Sequence, residues 1–309
     1  YSDLDDFSSA LEEHKKALNI RQKLLGDHED TAESHYEVGR TYRNLDYFSS
    51  ALEEHKKALN IREKILGDNE DTAWSYFALG HTYNNLDDFN SALEANKKAL
   101  SIREKLLGDH EETAWSHLEL GFTYDNLEDF SSALEEHKKA LSMREKLLGD
   151  HEDTAESHYE VGCTYSDLDD FSSALEEHKK ALNIRQKLLG DHEDTAESHY
   201  EVGRTYRNLD YFSSALEEHK KALNIREKIL GDNEDTAWSY FALGHTYNNL
   251  DDFNSALEAN KKALSIREKL LGDHEETAWS HLELGFTYDN LEDFSSALEE
   301  HKKALSMRE

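Results

Sequence analysis

Thr31-Ala32-Glu33-Ser34 returns as Thr72-Ala73-Trp74-Ser75, and its leading threonine recurs at Thr113, Thr154, Thr195, Thr236 and Thr277. Each step is 41 residues (72 − 31 = 41). Four steps form a longer block, because Tyr1–Glu145 recurs without change as Tyr165–Glu309, an offset of 164 (4 × 41). A period in this range means a solenoid, in which each unit buries its apolar face only against its neighbours. A fold built this way argues against an enzyme with one deep pocket.

Within one unit, Ala32, His35, Val38, Gly39 and Tyr42 stand three and four residues apart, the stripe of an amphipathic helix. Asp30 is the expected N-cap, with Glu33 completing a capping box. Arg43-Asn44-Leu45-Asp46 breaks the pattern as a turn, and Asp46 is the expected cap of a second helix. That helix carries Phe48, Ala51, Leu52, His55, Ala58, Leu59, Arg62, Ile65 and Leu66 on one face. Gly67 suits a closing position with positive φ, and Gly39, Ala51 and Ala58 mark a close helix–helix approach. The unit is therefore a helical hairpin, and helix content should exceed ~70%, against about a third in an ordinary domain.

The array divides as residues 1–30, an unpaired second helix and its loop, then residues 31–309, seven hairpins starting at 31, 72, 113, 154, 195, 236 and 277, the last truncated. Both ends are expected to be open, as in a piece of a longer array, and to associate end to end. Folding does not demand identity between the two blocks, since adjacent units tolerate many differences. Recent duplication, concatenation, or assignment to a periodic object each accounts for it.

The net charge is −32 with 33% charged residues. This disfavours nucleic acid, whose affinity comes largely from Lys and Arg, and acidic membrane surfaces. Basic partners, divalent cations and plain solubility all remain consistent with it. Cys163 is the only cysteine, no apolar run approaches the ~20 residues of a membrane span, and no signal peptide opens the chain. A cytoplasmic setting is the expectation. Proline is absent, so no fixed φ or missing N–H interrupts the helices.

Val38-Gly39, Tyr42, Phe48, Ala51 and Ala58 resemble the signature of the tetratricopeptide repeat. The run Ala58–Asp68 is similar to the long second helix and loop of the kinesin-light-chain and nephrocystin-like subclass, without the prolines usual there. The resemblance implies an all-α, right-handed superhelix of antiparallel hairpins, with the first helices lining a concave groove. Carried over, the groove positions ahead of the glycine are Glu33, Trp74, Trp115 and Glu156, then Tyr36, Phe77, Leu118 and Tyr159. Beside and beyond it they are Arg40, His81, Phe122 and Cys163, then Arg43, Asn84, Asp125 and Ser166. The copied block contributes Trp238, Phe241, His245, Trp279, Leu282 and Phe286.

Variation between units concentrates at these positions while the second helices barely change. A binding face would look like this, and so would an unconstrained one. The sharpest recognition feature is the aromatic cluster Trp74, Phe77, Trp115 and Phe122, repeated as Trp238, Phe241, Trp279 and Phe286; its alternative is packing on the neighbouring unit. The asparagines by which kinesin light chains hold a peptide backbone are not matched, because Tyr36-Glu37, Phe77-Ala78 and Leu118-Glu119 stand there.

His35 and His55 become Tyr76 and Asn96 together, which suggests that the two histidines touch and that the array loosens in acid. Gly26-Asp27-His28-Glu29-Asp30 offers metal-ligand types, but the same residues serve as a cap and an acidic first turn. Cys163 aligns with Arg40, His81 and Phe122 and has no catalytic context. No cofactor, metal or catalytic site is expected. The reading is a non-catalytic scaffold binding a protein or basic peptide, without nucleic acid or membrane; the alternative is a self-assembling array without a groove ligand.

Overall fold

In a computed structural model, which describes residues 4–308, fifteen helices hold 85% of the described residues and no strand is present among them. The expected opening helix begins as α1 (Leu4–Leu25), and its residues 1–3 lie outside the described residues. Each hairpin then pairs a first helix of 15 or 16 residues with a second one of 19 residues, 13 in the last hairpin. Residues 1–149 and 150–309 form two compact units. The first holds α2 (Glu29–Asn44), α3 (Phe48–Leu66), α4 (Glu70–Asn84), α5 (Phe89–Leu107), α6 (Glu111–Asn126) and α7 (Phe130–Leu148) after α1. The second holds α8 (Glu152–Asp167), α9 (Phe171–Leu189), α10 (Glu193–Asn208), α11 (Phe212–Leu230), α12 (Glu234–Asn249), α13 (Phe253–Leu271), α14 (Glu275–Asn290) and α15 (Phe294–Ser306). Inside each unit, a second helix packs on its own first helix and on the next hairpin's first helix.

The caps differ from expectation. The first helices begin before Asp30: His28 is extended (φ −138°) and its Nδ1 accepts from the Asp30 N–H at 3.2 Å. His110, His151, His192 and His274 do the same, and Asn69 and Asn233 cap with a side-chain oxygen. Asp30 instead joins Glu29 in an acidic first turn, where it favours the helix dipole. These loop histidines thus have a structural use.

Asp46 is not a cap either. It takes φ +60°, a left-handed conformation that Asp tolerates at a tight turn. The following residue is the cap. Where it is Asp (Asp88, Asp129, Asp170, Asp252, Asp293), the carboxylate accepts from the N–H three residues on; where it is Tyr47 or Tyr211, no side-chain bond forms.

The hairpins close on small residues. Ala32, Ala51 and Ala58 are fully buried. A Cβ built on Gly39 would lie 2.2 Å from Cδ2 of His55, so only glycine admits that ring. At the far end Gly67 has φ +63° and ψ −142°, a conformation open only to glycine.

Replacing Tyr47 and Tyr211 by Asp supplies the caps that the other hairpins have. Each should add about 1 kcal/mol, read as a higher urea midpoint at unchanged slope; a midpoint that falls would show the tyrosines matter more than the caps.

Candidate functional site

Arg62 on α3 is 3% exposed. Its Nη1 donates to the Asp71 carbonyl at 3.0 Å and to Ser75 Oγ at 2.9 Å, both on α4 of the next hairpin. Arg103 repeats this with Glu112 and Ser116 on α6, as do Arg226 and Arg267 in the second unit. The other end of each guanidinium reaches the groove positions. Arg62 Nη2 donates to Glu33 in a short charge-assisted bond and lies 5.1 Å from the Tyr36 ring. Arg103 instead lies 4.4 Å from the Trp74 ring and 4.9 Å from Phe77. Carboxylate plus phenol in one hairpin and indole plus phenyl in the next thus answer the same buried cation.

This sorts the residues singled out in the sequence. Trp74 meets Phe77 at 5.6 Å and Trp115 at 6.4 Å, both edge-on, and Phe77 is almost wholly buried. Trp238 and Phe241 stack on Arg267 in the same way. Leu118 is buried, and Leu282, Phe122 and Tyr36 are partly covered. Phe122 also stands edge-on to His137 at 5.3 Å. Trp115, Trp279 and Phe286 remain 47%, 45% and 49% exposed. Trp115 therefore presents a ring edge above a floor made by Trp74 and Phe77.

The polar positions converge on one another. His81 Nδ1 and Asn84 Nδ2 lie 3.4 Å and 3.1 Å from the buried Glu119 carboxylate, and Asn84 also donates to Thr123. Asn248, Glu283 and Thr287 repeat the arrangement. Arg43 is half-buried, and burial holds its guanidinium below its usual range despite Tyr36 and Glu119 nearby. Arg40 is exposed and pairs with Glu37 at 2.7 Å. In the second unit burial depresses His245, with Arg207 adding to it. His81 and Asn84 thus serve to align adjacent first helices.

Sequence reasoning missed the arginines and Glu119. Their signal was an Arg returning every 41 residues on an otherwise apolar face. It also mispaired the histidines. His35 Nδ1 lies 2.6 Å from Glu54 Oε2, and the change that accompanies His35 to Tyr76 is Glu54 to Ala95. His55 instead meets Gly39, the Tyr36 ring and Thr82 Oγ1 at 3.1 Å. Where Ala95 replaces that carboxylate, an open cavity of about 700 Å³ lies between α3, α4 and α5, lined by Leu59, Tyr76, Leu79, Lys56 and Lys97. A copy of about 710 Å³ lies beside Tyr240. Neither is lined by the aromatic groove residues.

Repeating helical hairpins with a variable first-helix face define a helical-repeat scaffold. The chain belongs to the tetratricopeptide repeat family: that family's model matches residues 1–64, 45–105, 71–146, 112–187, 167–228, 194–269 and 235–309. Among solved structures, the fold is similar to BtubC (BKLC) from P. vanneervenii (19% identity, TM-score 0.64, covering 71% of this chain and 91% of that one). It is also similar to a Podosopora anserina putative kinesin light chain of nearly identical TPR-like repeats (22%, 0.60, 66% and 98%). The apo quorum sensor NprR from B. thuringiensis aligns over 99% of this chain and 83% of its own (14%, 0.73). No curated protein matches the sequence. No helix among the described residues is long and apolar enough to cross a membrane.

Burial pushes His55 and His137 down to about 4, with Arg43 adding to the effect at His55. Groups depressed in this way contribute stability above the ordinary His value of about 6.5, lost as pH falls from there toward about 4. Each should remove about 2 kcal/mol by pH 5. Asn96 shows that asparagine fits this position, donating to Thr123 at 2.9 Å. The melting temperature should therefore drop between pH 7 and pH 5, and less in a His55→Asn/His137→Asn variant. Equal slopes would exclude these rings as the cause.

Proposed function

We propose that the chain is a non-catalytic scaffold that binds a protein or peptide segment on its first-helix face, with Trp115 and Trp279 as anchoring contacts. The observation that carries this reading is an indole left about half exposed on the first-helix face in each compact unit, Trp115 against the Trp74 and Phe77 rings and Trp279 against the Arg308 guanidinium. Large aromatic side chains on a fixed support are what interface hot spots are built from. The net charge of −32 favours a ligand that is apolar at its anchor and basic at its flanks. Two like sites on one chain would let a divalent partner gain by effective concentration. That a fold relative is a quorum sensor is consistent with recognition as the role of such a scaffold.

A second reading is an end-to-end self-assembling array without a groove ligand, since hairpins of this chain stack through one repeated interface of second helix on first helix. Sedimentation of the chain from micromolar to several hundred micromolar tests it: mass rising with concentration supports assembly, and a constant monomer removes it.

Selection from a displayed peptide library, run on the parent and on a Trp115→Ala/Trp279→Ala variant, tests the binding reading. These two indoles leave the arginine-bound Trp74 and Trp238 in place, so helicity should hold. A consensus recovered by the parent should bind the variant about thirtyfold more weakly, as loss of a hot-spot aromatic implies. Equal recovery by both would place the site elsewhere, and no enrichment on either would favour self-assembly.

A further inference from the structure

Cys163 on α8, His178 on α9 and Glu201 on α10 come from three consecutive helices of the second unit. One ligand-type atom from each lies within 4.8 Å of the others. His178 is fully buried, and neither of its ring nitrogens has a hydrogen-bond partner. That is not the rule for this position. Its copies His55 and His219 meet Thr82 and Thr246 through Nδ1 at 3.1 and 3.0 Å, and Asn96 and Asn260 donate to Thr123 and Thr287 at 2.9 Å. The corresponding Thr205 donates its hydroxyl to the Glu201 carbonyl, as Thr82 and Thr246 do to Ala78 and Ala242, but accepts nothing from His178. The His178 ring is also turned over: its Nδ1–Cε1 edge faces Gly162, where His55 and His219 place Cδ2 and Nε2 against their glycines.

An unpartnered buried imidazole is destabilising, and the two groups nearest it of ligand type are a thiol and a carboxyl. We propose that Cys163, His178 and Glu201 form a binding site for a divalent transition-metal ion of the zinc type. Thiolate, neutral imidazole and carboxylate together balance the ion's two charges, and such a donor set selects zinc or cobalt over magnesium or calcium. Tetrahedral zinc holds S and N/O ligands roughly 3.6 Å apart, so the trio need close by no more than about 1 Å on loading. Arg204 Nη2 lies 3.0 Å from Glu201 Oε2 and favours the ionised carboxylate that a metal ligand requires. A fourth position falls to water, as in zinc sites with three protein ligands.

Loading displaces the Cys163 proton, and any proton on Glu201, to solvent. The site occurs once, because the copies of Cys163 are Arg40, His81, Phe122, Arg204, His245 and Phe286.

The test uses the full chain, reduced and stripped of metal, titrated with Co²⁺ in excess Mg²⁺ so that the acidic surface is occupied. A thiolate-to-cobalt charge-transfer band should saturate at a single ion per chain and disappear on adding Zn²⁺. Cys163→Ala and His178→Asn should abolish it, the latter without loss of helix because asparagine already fills that position in two hairpins. Glu201→Gln should weaken Co²⁺ binding by about tenfold or more, and stoichiometric Zn²⁺ should raise the melting temperature of the parent alone. Absence of the band, its survival in His178→Asn, or unchanged affinity in Glu201→Gln would each overturn the assignment.

Discussion

An arginine, buried at Arg62, Arg103, Arg226 and Arg267 and partly covered at Arg21 and Arg185, joins each second helix to the first helix of the next hairpin within a unit, and the stacking depends on it. Removing Arg103 from water is expensive, and the cost is met by the Glu112 carbonyl, Ser116 Oγ and two aromatic faces. Because every one of those partners lies at a set place on a neighbouring helix, the bond also sets the register between hairpins. Apolar contacts alone would leave that register loose, since the interface is built mostly from alanines with few large side chains to interlock.

The same constraint explains the variable face. Glu33 with Tyr36, and Trp74 with Phe77, are alternative ways of completing one arginine's surroundings. Part of the variation that suggests a binding surface is therefore internal bookkeeping between adjacent helices. What it leaves over is Trp115, Trp279 and Phe286, which stay about half exposed. His81 and Asn84, which vary just as much, are taken up by Glu119 and Thr123.

Polar groups recur through the rest of the core for a related reason. Gly39 and its copies bring two backbones so close that only a flat imidazole or a short amide fits between them. A ring held there must be neutral, which ties the stability of the hairpins to pH. Where such a ring finds no hydroxyl, as at His178, the surrounding donors acquire chemical meaning.

Much of the architecture was legible in the chain itself. The 41-residue period, the apolar stripe from Ala32 to Tyr42 and the punctuating Gly67 determined helical hairpins, because periodicity and glycine conformations act locally. The caps were misplaced by one or two residues, since Asp30, Asp46 and the true caps His28 and Asp88 all offer acceptors and only backbone conformation distinguishes them. The partner of His35 was also hidden: Glu54 lies 19 residues away on an antiparallel helix, and spacing along one helix carries no information about contacts across two. By itself the sequence determined the repeat, its helices and its family. Which aromatic rings stay open, which arginine answers which carboxylate, and that Cys163, His178 and Glu201 meet were decided only by the packing, because those neighbours come from three different helices.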